Sequence, residues 1–223
     1  MSGYGFADIE KPVKYLREAG LHKNAKLVDL KYDATEKYEY FDIEIETTDG
    51  ATFRERTFAP NPDKVFPRKK YEGGKEVGME TEAEAFARSI NEVSTKLFYL
   101  GLAFVEEKEL KASVAKAKDL KDFVEKVNKA ITLSGNRDTT SLNFLTVWSN
   151  SDSKQRSNLV LPARTQWVEA YKEGFPVQIK LNKWQLENQM TEKYPFQGTS
   201  SDAPAGDQTI SGEGVAADTD LPF

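Results

Sequence analysis

The first sixty residues carry alternating hydrophobic and polar positions, which predict three β-strands. The alternation runs over residues 26–33 and again over residues 38–47, with the period of two that places every second side chain on one face. Asp49-Gly50 is a strong hairpin signal and leads into a third strand at residues 52–59. The link at residues 34–37 is short enough for another hairpin, so we predict a three-stranded meander. The side chains predicted to face the core are Val28, Leu30, Tyr32, Phe41, Ile43 and Ile45.

The period of the hydrophobic pattern then changes from that of a strand to that of a helix. Residues 60–78 are rich in Pro, Gly, Lys and Arg and predict a long loop. A helix is predicted to begin near Glu80 or Thr81, and a second helical region covers residues 110–133 and is ended by Gly135. We interpret the stripe of the first helix as core; its members are Phe86, Ile90, Val93, Leu97, Leu100 and Phe104.

Strand patterns return in the last third of the chain. Residues 141–149 and 158–161 predict a hairpin around a polar turn, and a short helix near residues 167–171 and a strand near residues 176–184 follow. Three strands, a helix and a hairpin form the connectivity of the OB-fold, a small five-stranded barrel. We therefore predict a mainly β chain with an α insertion, an OB-fold β-barrel with its helical segment between the third and fourth strands. The last predicted strand either closes the barrel or forms an accessory ribbon.

Residues 197–223 differ in composition from the rest of the chain. Gly, Ser, Thr, Ala, Pro and Asp dominate there, and such a segment buries too little apolar surface to offset its ordering entropy. We therefore predict a disordered acidic tail behind a domain at residues 1–196. The net charge is -5, but five acids and no base lie in the tail, whereas the other 31 acids balance the 31 bases. A balanced domain can still present a basic groove.

The residue inventory argues against several kinds of chemistry. The chain has no cysteine and one histidine, His22, so neither a Cys-ligated metal nor a histidine triad is available. No glycine-rich phosphate-binding motif occurs. We predict no catalytic residue, no metal, no cofactor and no enzymatic activity, with a magnesium nuclease built from distant carboxylates as an alternative. Neither a membrane span nor a signal peptide is recognisable, so we expect a cytoplasmic protein without a membrane partner.

The last six residues form an acidic segment that ends in an aromatic ring. Asp218 and Asp220 precede Leu221, Pro222 and Phe223. A partner protein can take the ring and its carboxylate with an apolar pocket and a cation at the rim. This segment resembles the acidic C-terminal tip of bacterial single-stranded-DNA-binding proteins. The whole chain, with its long helical insertion, resembles the single-stranded-DNA-binding proteins of bacteriophages.

The resemblance implies sequence-independent binding and protection of single-stranded DNA in phage replication, recombination and repair, inside a bacterial host cell. It implies that the tip recruits replication proteins, and it is compatible with a homo-oligomer. The segment departs from the bacterial pattern at Leu221, which stands for Ile, and at Thr219, which interrupts the acidic run. An RNA-binding OB-fold protein and an acidic scaffold or DNA mimic are the alternatives.

A groove for single-stranded DNA needs cations for the phosphates and aromatic faces for the bases. Arg54, Arg56 and Phe58 share one side of the third strand. Cross-strand ion pairs with Asp42, Glu44 and Glu46 are an alternative role for the arginines. The loop at residues 66–75 is a second candidate, or an ordinary charged loop. Trp148 is a candidate for stacking or for the core. The DNA-binding residues predicted in total are Tyr38, Tyr40, Arg54, Arg56, Phe58, Arg68, Lys69, Lys70, Tyr71, Lys75, Trp148, Lys154, Arg156, Arg164, Lys180, Lys183 and Trp184.

Overall fold

Nine strands and four α-helices make up the part of the chain that this computed structural model describes, residues 13–152 and 154–195. The strands are β1 (Lys14–Tyr15), β2 (Gly20–Ala34), β3 (Glu39–Glu46), β4 (Ala51–Phe58), β5 (Lys69–Glu72), β6 (Lys75–Met79), β7 (Leu142–Ser151), β8 (Arg156–Val160) and β9 (Val168–Ala170). The helices are α1 (Glu82–Leu102), α2 (Glu107–Val114), α3 (Leu120–Leu133) and α4 (Lys183–Asn188). The chain is therefore mainly β, with three helices between β6 and β7. The predicted tail at residues 197–223 lies outside the described residues.

One sheet, curled into a half-barrel, contains seven of these strands in the order β1-β4-β3-β2-β7-β8, with β9 beside β7. β2, β3 and β4 form the predicted antiparallel meander, and β7 returns antiparallel to β2. The predicted second hairpin is confirmed as β7 and β8. Within the described residues no helix is both long and apolar enough to cross a membrane.

The inner face of the meander is the centre of the core. Phe41, Ile43 and Ile45 are completely buried, as the alternation predicts. Val28 was predicted to face the core but is 44% exposed. It is the extra residue of a β-bulge, because Leu27 pairs with Ile45 and Asp29 already pairs with Glu44. A bulge reverses the alternation, so the buried side chains of β2 on either side of it are Leu27 and Leu30.

The helices agree with the sequence prediction at their starts and less well along their length. α1 begins where it was predicted to begin, and Thr81 caps it by forming a reciprocal capping box with Glu84. Leu97 and Leu100 of the predicted stripe are fully buried, but Ile90 is 44% exposed. The single helical region predicted at residues 110–133 is two helices, since Asp119 adopts an extended conformation and caps α3 by accepting from the Asp122 amide.

The long loop predicted at residues 60–78 is wrong, because most of it forms the separate hairpin of β5 and β6. Gly73 and Gly74 have φ angles of 55° and 80° and form the two-residue turn between the strands. A tight hairpin turn of this kind needs left-handed residues at both central positions, and Gly adopts that conformation without steric cost. The Gly-Gly pair is therefore a turn signal and not a sign of a long loop.

Two predictions near the end of the domain are also wrong. The segment predicted as a helix at residues 167–171 contains β9, which pairs with the start of β7, and Trp167 beside it is completely buried. The strand predicted near residues 176–184 is absent from the described structure. Asn182 instead caps α4 through a reciprocal bond with Gln185. A capping box is a local signal that here overrides a short alternating pattern.

The inward side of β4 carries a buried charge that ties three elements together. Glu55 lies 8% exposed in β4 and forms an ion pair with Lys96 of α1, which is 7% exposed. The other carboxylate oxygen of Glu55 accepts from the backbone amide of Leu161, directly after β8. The indole of Trp167 donates to the Lys96 carbonyl at 3.0 Å. β4, α1 and the segment directly after β8 are thus joined through one side chain.

Replacing Lys96 with Met should destabilise the protein strongly, by about 3–5 kcal/mol, because Glu55 then remains buried without its counter-charge. The double variant Glu55→Gln/Lys96→Met should be much closer to wild type, since Gln still offers an oxygen to the Leu161 amide. Urea unfolding measures the free energy of unfolding of the wild type, the single variant and the double variant. Lys111→Met is the control, because its ion pair with Glu107 is exposed. A Lys96→Met loss as small as that of the control would contradict a stabilising role.

Candidate nucleic-acid interface

The outer side of β3 and β4 brings several predicted site residues together. Tyr40 is the cross-strand partner of Phe58, Asp42 of Arg56, and Glu44 of Arg54. Because side chains alternate along a strand, all of them lie opposite the buried Phe41, Ile43 and Ile45. We call Tyr40, Asp42, Arg54, Arg56 and Phe58 the β3–β4 outer face. Its residues were predicted to share one side of these strands, and the register confirms this.

Asp42 organises the charges of the β3–β4 outer face. Its carboxylate accepts from Arg54 Nη2 at 2.6 Å and from Arg56 Nε and Nη2 at 3.0 Å each. Burial would raise the pKa of Asp42, but the hydrogen bonds from Arg56 and Arg54 outweigh it and hold the pKa below its ordinary value. The alternative of cross-strand ion pairs is therefore present. Glu44, the cross-strand partner of Arg54, lies on the same side, so these two acids equal the two arginines in number. What distinguishes the face is that both guanidinium groups donate to one carboxylate.

Three aromatic rings form a continuous cluster at the end of the same face. The ring of Phe58 lies 5.7 Å from that of Tyr38 and 5.8 Å from that of Tyr40, both in edge-on arrangements. The guanidinium carbon of Arg56 lies over the ring of Tyr40, 3.9 Å from its centroid. Tyr40 is only 7% exposed as a result of these neighbours. The hydroxyl of Tyr38 is buried and has no hydrogen-bond partner among the described residues.

Two lysines that the sequence analysis did not select lie at this aromatic cluster. Lys37 Nζ is 5.2 Å and Lys64 Nζ is 5.8 Å from the centroid of the Tyr38 ring. Lys37 lies in the turn between β2 and β3, directly before Tyr38, and this adjacency was a usable signal. Lys64 lies in the short 3-10 helix Pro62–Lys64 after β4. Nothing in the sequence indicates that its side chain lies near the Tyr38 ring.

The cations of the β5–β6 hairpin are held by glutamates. Lys69 pairs with Glu76 at 2.9 Å, and Lys70 pairs with Glu84 at 2.6 Å. Arg68 lies 3.4 Å from Glu92, and Arg164 lies 2.8 Å from the same carboxylate. These contacts fix the hairpin and the segment after β8 to α1, so they give these cations a structural role beside the predicted one. Lys75, in contrast, forms no ion pair with any described residue, and Tyr71 is 43% exposed.

The remaining predicted residues lie on other elements. Lys154 and Arg156 are exposed at the β7–β8 turn, and neither they nor Lys180 or Lys183 contacts the β3–β4 outer face through a described hydrogen bond or ion pair. Lys183 is 3.8 Å from Glu187 on α4. Trp148 and Trp184 are half-buried. The structure therefore groups four predicted residues, Tyr40, Arg54, Arg56 and Phe58, with Tyr38 and leaves the others as separate candidates.

The described chain ends beside the β7–β8 turn. Asp152 accepts from Lys193 Nζ and from the Tyr194 hydroxyl, each at 2.5 Å. The amide of Trp148 donates to the carbonyl of Gln189 at 2.8 Å, so this last segment runs along β7. Lys193 and Tyr194 are thus anchored at Asp152, and the exposed Lys154 and Arg156 follow Asp152 in the same turn. The predicted partner-binding residues Asp218, Asp220, Leu221, Pro222 and Phe223 lie outside the described residues.

Known proteins offer no guide to these surfaces. No family model, curated protein or solved structure matches this chain. Within residues 13–152 and 154–195 no three His, Asp or Glu side chains lie close enough together to hold a metal ion. The interpretation of the site rests on its own geometry.

Replacing Asp42 with Asn should lower the free energy of unfolding by about 1–3 kcal/mol near neutral pH, because both arginines lose their charged acceptor. The pKa of Asp42 in the folded state lies below its ordinary value of 3.8. Its stabilisation is therefore complete above roughly pH 5 and is lost as the pH falls through the folded-state pKa.

Urea unfolding of wild type and variant from about pH 7 to about pH 3 measures this difference. Asp138→Asn is the control, since Asp138 is exposed and forms no ion pair with a described residue. A wild-type advantage that stays constant over the whole pH range would contradict the assignment.

Proposed function

We propose that this protein binds single-stranded DNA without sequence preference and protects it during replication, recombination and repair. The observation that carries the proposal is the β3–β4 outer face, where two arginines share one carboxylate beside three aromatic rings. Cations that follow phosphates and rings that contact bases are the two requirements of such binding. Lys37 and Lys64 extend the cationic surface past Tyr38.

The strand order supports an OB-type barrel and, with it, this choice of face. β2, β3 and β4 followed by helices and the β7–β8 hairpin, with β7 beside β2, fit the five-strand OB pattern. In that fold the second and third strands, here β3 and β4, bind oligonucleotides together with the loops after the first and fourth strands. Lys37 lies in the first of these loops and Lys154 in the second. β4 and β8 form no backbone hydrogen-bond ladder with each other in the described structure. The hydrogen bond from the Leu161 amide to Glu55 would close this barrel in its place.

Binding to a fluorescent oligo-dT of roughly 30 nucleotides tests the proposal. We expect tight binding at low salt and a logarithmic salt slope of about −0.7 for each phosphate neutralised. Arg54→Ala and Lys64→Ala should each weaken binding and make the slope shallower by about that amount. Lys111→Ala, on the distant helix α2, is the matched control. No affinity for oligo-dT at low ionic strength would refute the proposal.

The same assay separates the competing functions. A preference for an RNA oligonucleotide of equal sequence would indicate an RNA-binding protein. Binding of neither nucleic acid would favour the acidic scaffold or DNA mimic. Shortening of the oligonucleotide in the presence of Mg²⁺ would indicate a nuclease, whereas we expect the labelled strand to stay intact.

The acidic segment at residues 197–223 completes the proposal. We infer that its residues 218–223 recruit other replication proteins, and that its five carboxylates compete with phosphates for the cations of the domain. A tethered anion has a high effective concentration at its own domain, so the tail competes with DNA intramolecularly. Lys193 and Tyr194, shortly before this segment in the sequence, contact Asp152 in the same turn that carries Lys154 and Arg156.

A truncated protein that ends at Phe196 should bind oligo-dT more tightly than the full chain at low salt, because the competing carboxylates are gone. The difference should shrink as salt screens both interactions. A chain that lacks only residues 218–223 is the control and should show a smaller gain, since it keeps three of the five acids. Equal affinity of the truncated and full chains at low salt would exclude the competition.

A further inference from the structure

The ring of Tyr40 is covered by two neighbouring side chains of the same face. The guanidinium carbon of Arg56 lies 3.9 Å from the ring centroid, which is van der Waals contact with the ring face. Phe58 covers a second side of Tyr40. With 7% of its surface exposed, Tyr40 can stack on a base only if Arg56 moves away. The outermost flat group at this position is therefore the guanidinium and not the phenol ring.

Asp42 holds the Arg56 guanidinium in a fixed plane. Nε and Nη2 of Arg56 donate to the two carboxylate oxygens at 3.0 Å each, the paired arrangement that fixes both distance and orientation. The Arg56 side chain is still 36% exposed. Its Nη1 has no hydrogen-bond partner among residues 13–152 and 154–195. The group is thus fixed by the protein and remains accessible from outside.

Arg54 differs from Arg56 in each of these respects. It donates to Asp42 through Nη2 alone, its side chain is 54% exposed, and no ring within the described structure lies beneath it. An arginine held at one nitrogen on an open surface is suited to a phosphate. An arginine held at two nitrogens over a ring is suited to a flat, uncharged ligand, because its charge is already matched by Asp42.

We propose that the Arg56 guanidinium, supported from below by Tyr40, is the surface on which a DNA base stacks, while Arg54 contacts the phosphate backbone. This inference rests on the proposed function and names how its site takes a base. A guanidinium is planar, delocalised and weakly hydrated, so it stacks on flat π-systems, as nucleobases do on arginine planes. The ammonium of a lysine carries the same charge but offers no plane. Arg56 is in this sense a base-contacting residue and Asp42 is its positioning residue.

The matched variants Arg56→Lys and Arg54→Lys test the inference, because both keep the charge and a donor for Asp42. Each is measured on oligo-dT and on an abasic strand of equal length, which keeps the phosphates and lacks the bases. We expect Arg56→Lys to bind oligo-dT about 5- to 150-fold more weakly, the effect of one lost stacking contact, with an unchanged salt slope. On the abasic strand it should equal wild type. Arg54→Lys should show a smaller loss that is the same on both strands.

A third variant, Arg56→Met, distinguishes the alternative that the base stacks on Tyr40 itself. If Arg56 only covers Tyr40, its removal opens the ring, and Arg56→Met binds oligo-dT as tightly as wild type or more tightly. That result overturns the inference, and so does an equal loss of Arg56→Lys on both strands. Urea midpoints close to wild type confirm that the variants are folded. Failure of the wild-type protein to bind oligo-dT overturns the proposed function and this inference together, and is recognised without any variant.

Discussion

The buried ion pair of Glu55 and Lys96 is the interaction on which the rest of the structure depends. Through Glu55 it connects β4 with the end of β8, and through Lys96 it connects both with α1. Two charges inside a core are costly unless every group is paired, and here the pair also satisfies the Leu161 amide. Because side chains alternate, holding Glu55 inward turns its neighbours Arg54 and Arg56 outward. The contact between β4 and the end of β8 and the orientation of the candidate site are therefore one constraint.

A basic side chain can stabilise the fold or bind a ligand, and the acidic side chains near it determine which of these roles it has. On the β5–β6 hairpin Lys69 and Lys70 each meet one glutamate, and these contacts hold the hairpin together and against α1. On the β3–β4 outer face one buried carboxylate accepts from two guanidinium groups, which lie beside aromatic rings. A count of basic residues along the chain favours the hairpin, whereas the geometry of the pairs favours the sheet. Basic patches in sequences are better judged by the acids that fold against them.

The sequence indicated the meander, the β7–β8 hairpin and the start of α1 because each has a local signal: alternation, a turn or a cap. The sequence prediction failed where pairing with a distant segment determines the secondary structure. An example is β9, which is a strand because it pairs with β7. It also failed at Val28, since a bulge leaves no mark in an alternating pattern. The five residues of the outer face could be placed on one side by period alone. The proximity of Lys64, and the place of Glu55 in the core, depend on tertiary contacts that no spacing reveals.

β2 divides its length between two partners of very different sequence distance. Its second half pairs with β3, which follows after a turn, whereas its first half pairs with β7, so that His22 and Thr146 meet although they are 124 residues apart. Joining distant segments costs loop entropy before any contact compensates for it. The meander can therefore form early, while the first half of β2 waits for the helices to bring β7 back. The half of β2 that pairs with β7 carries polar residues at Lys23 and Asn24, which disfavour pairing with other chains whenever that edge is unpaired.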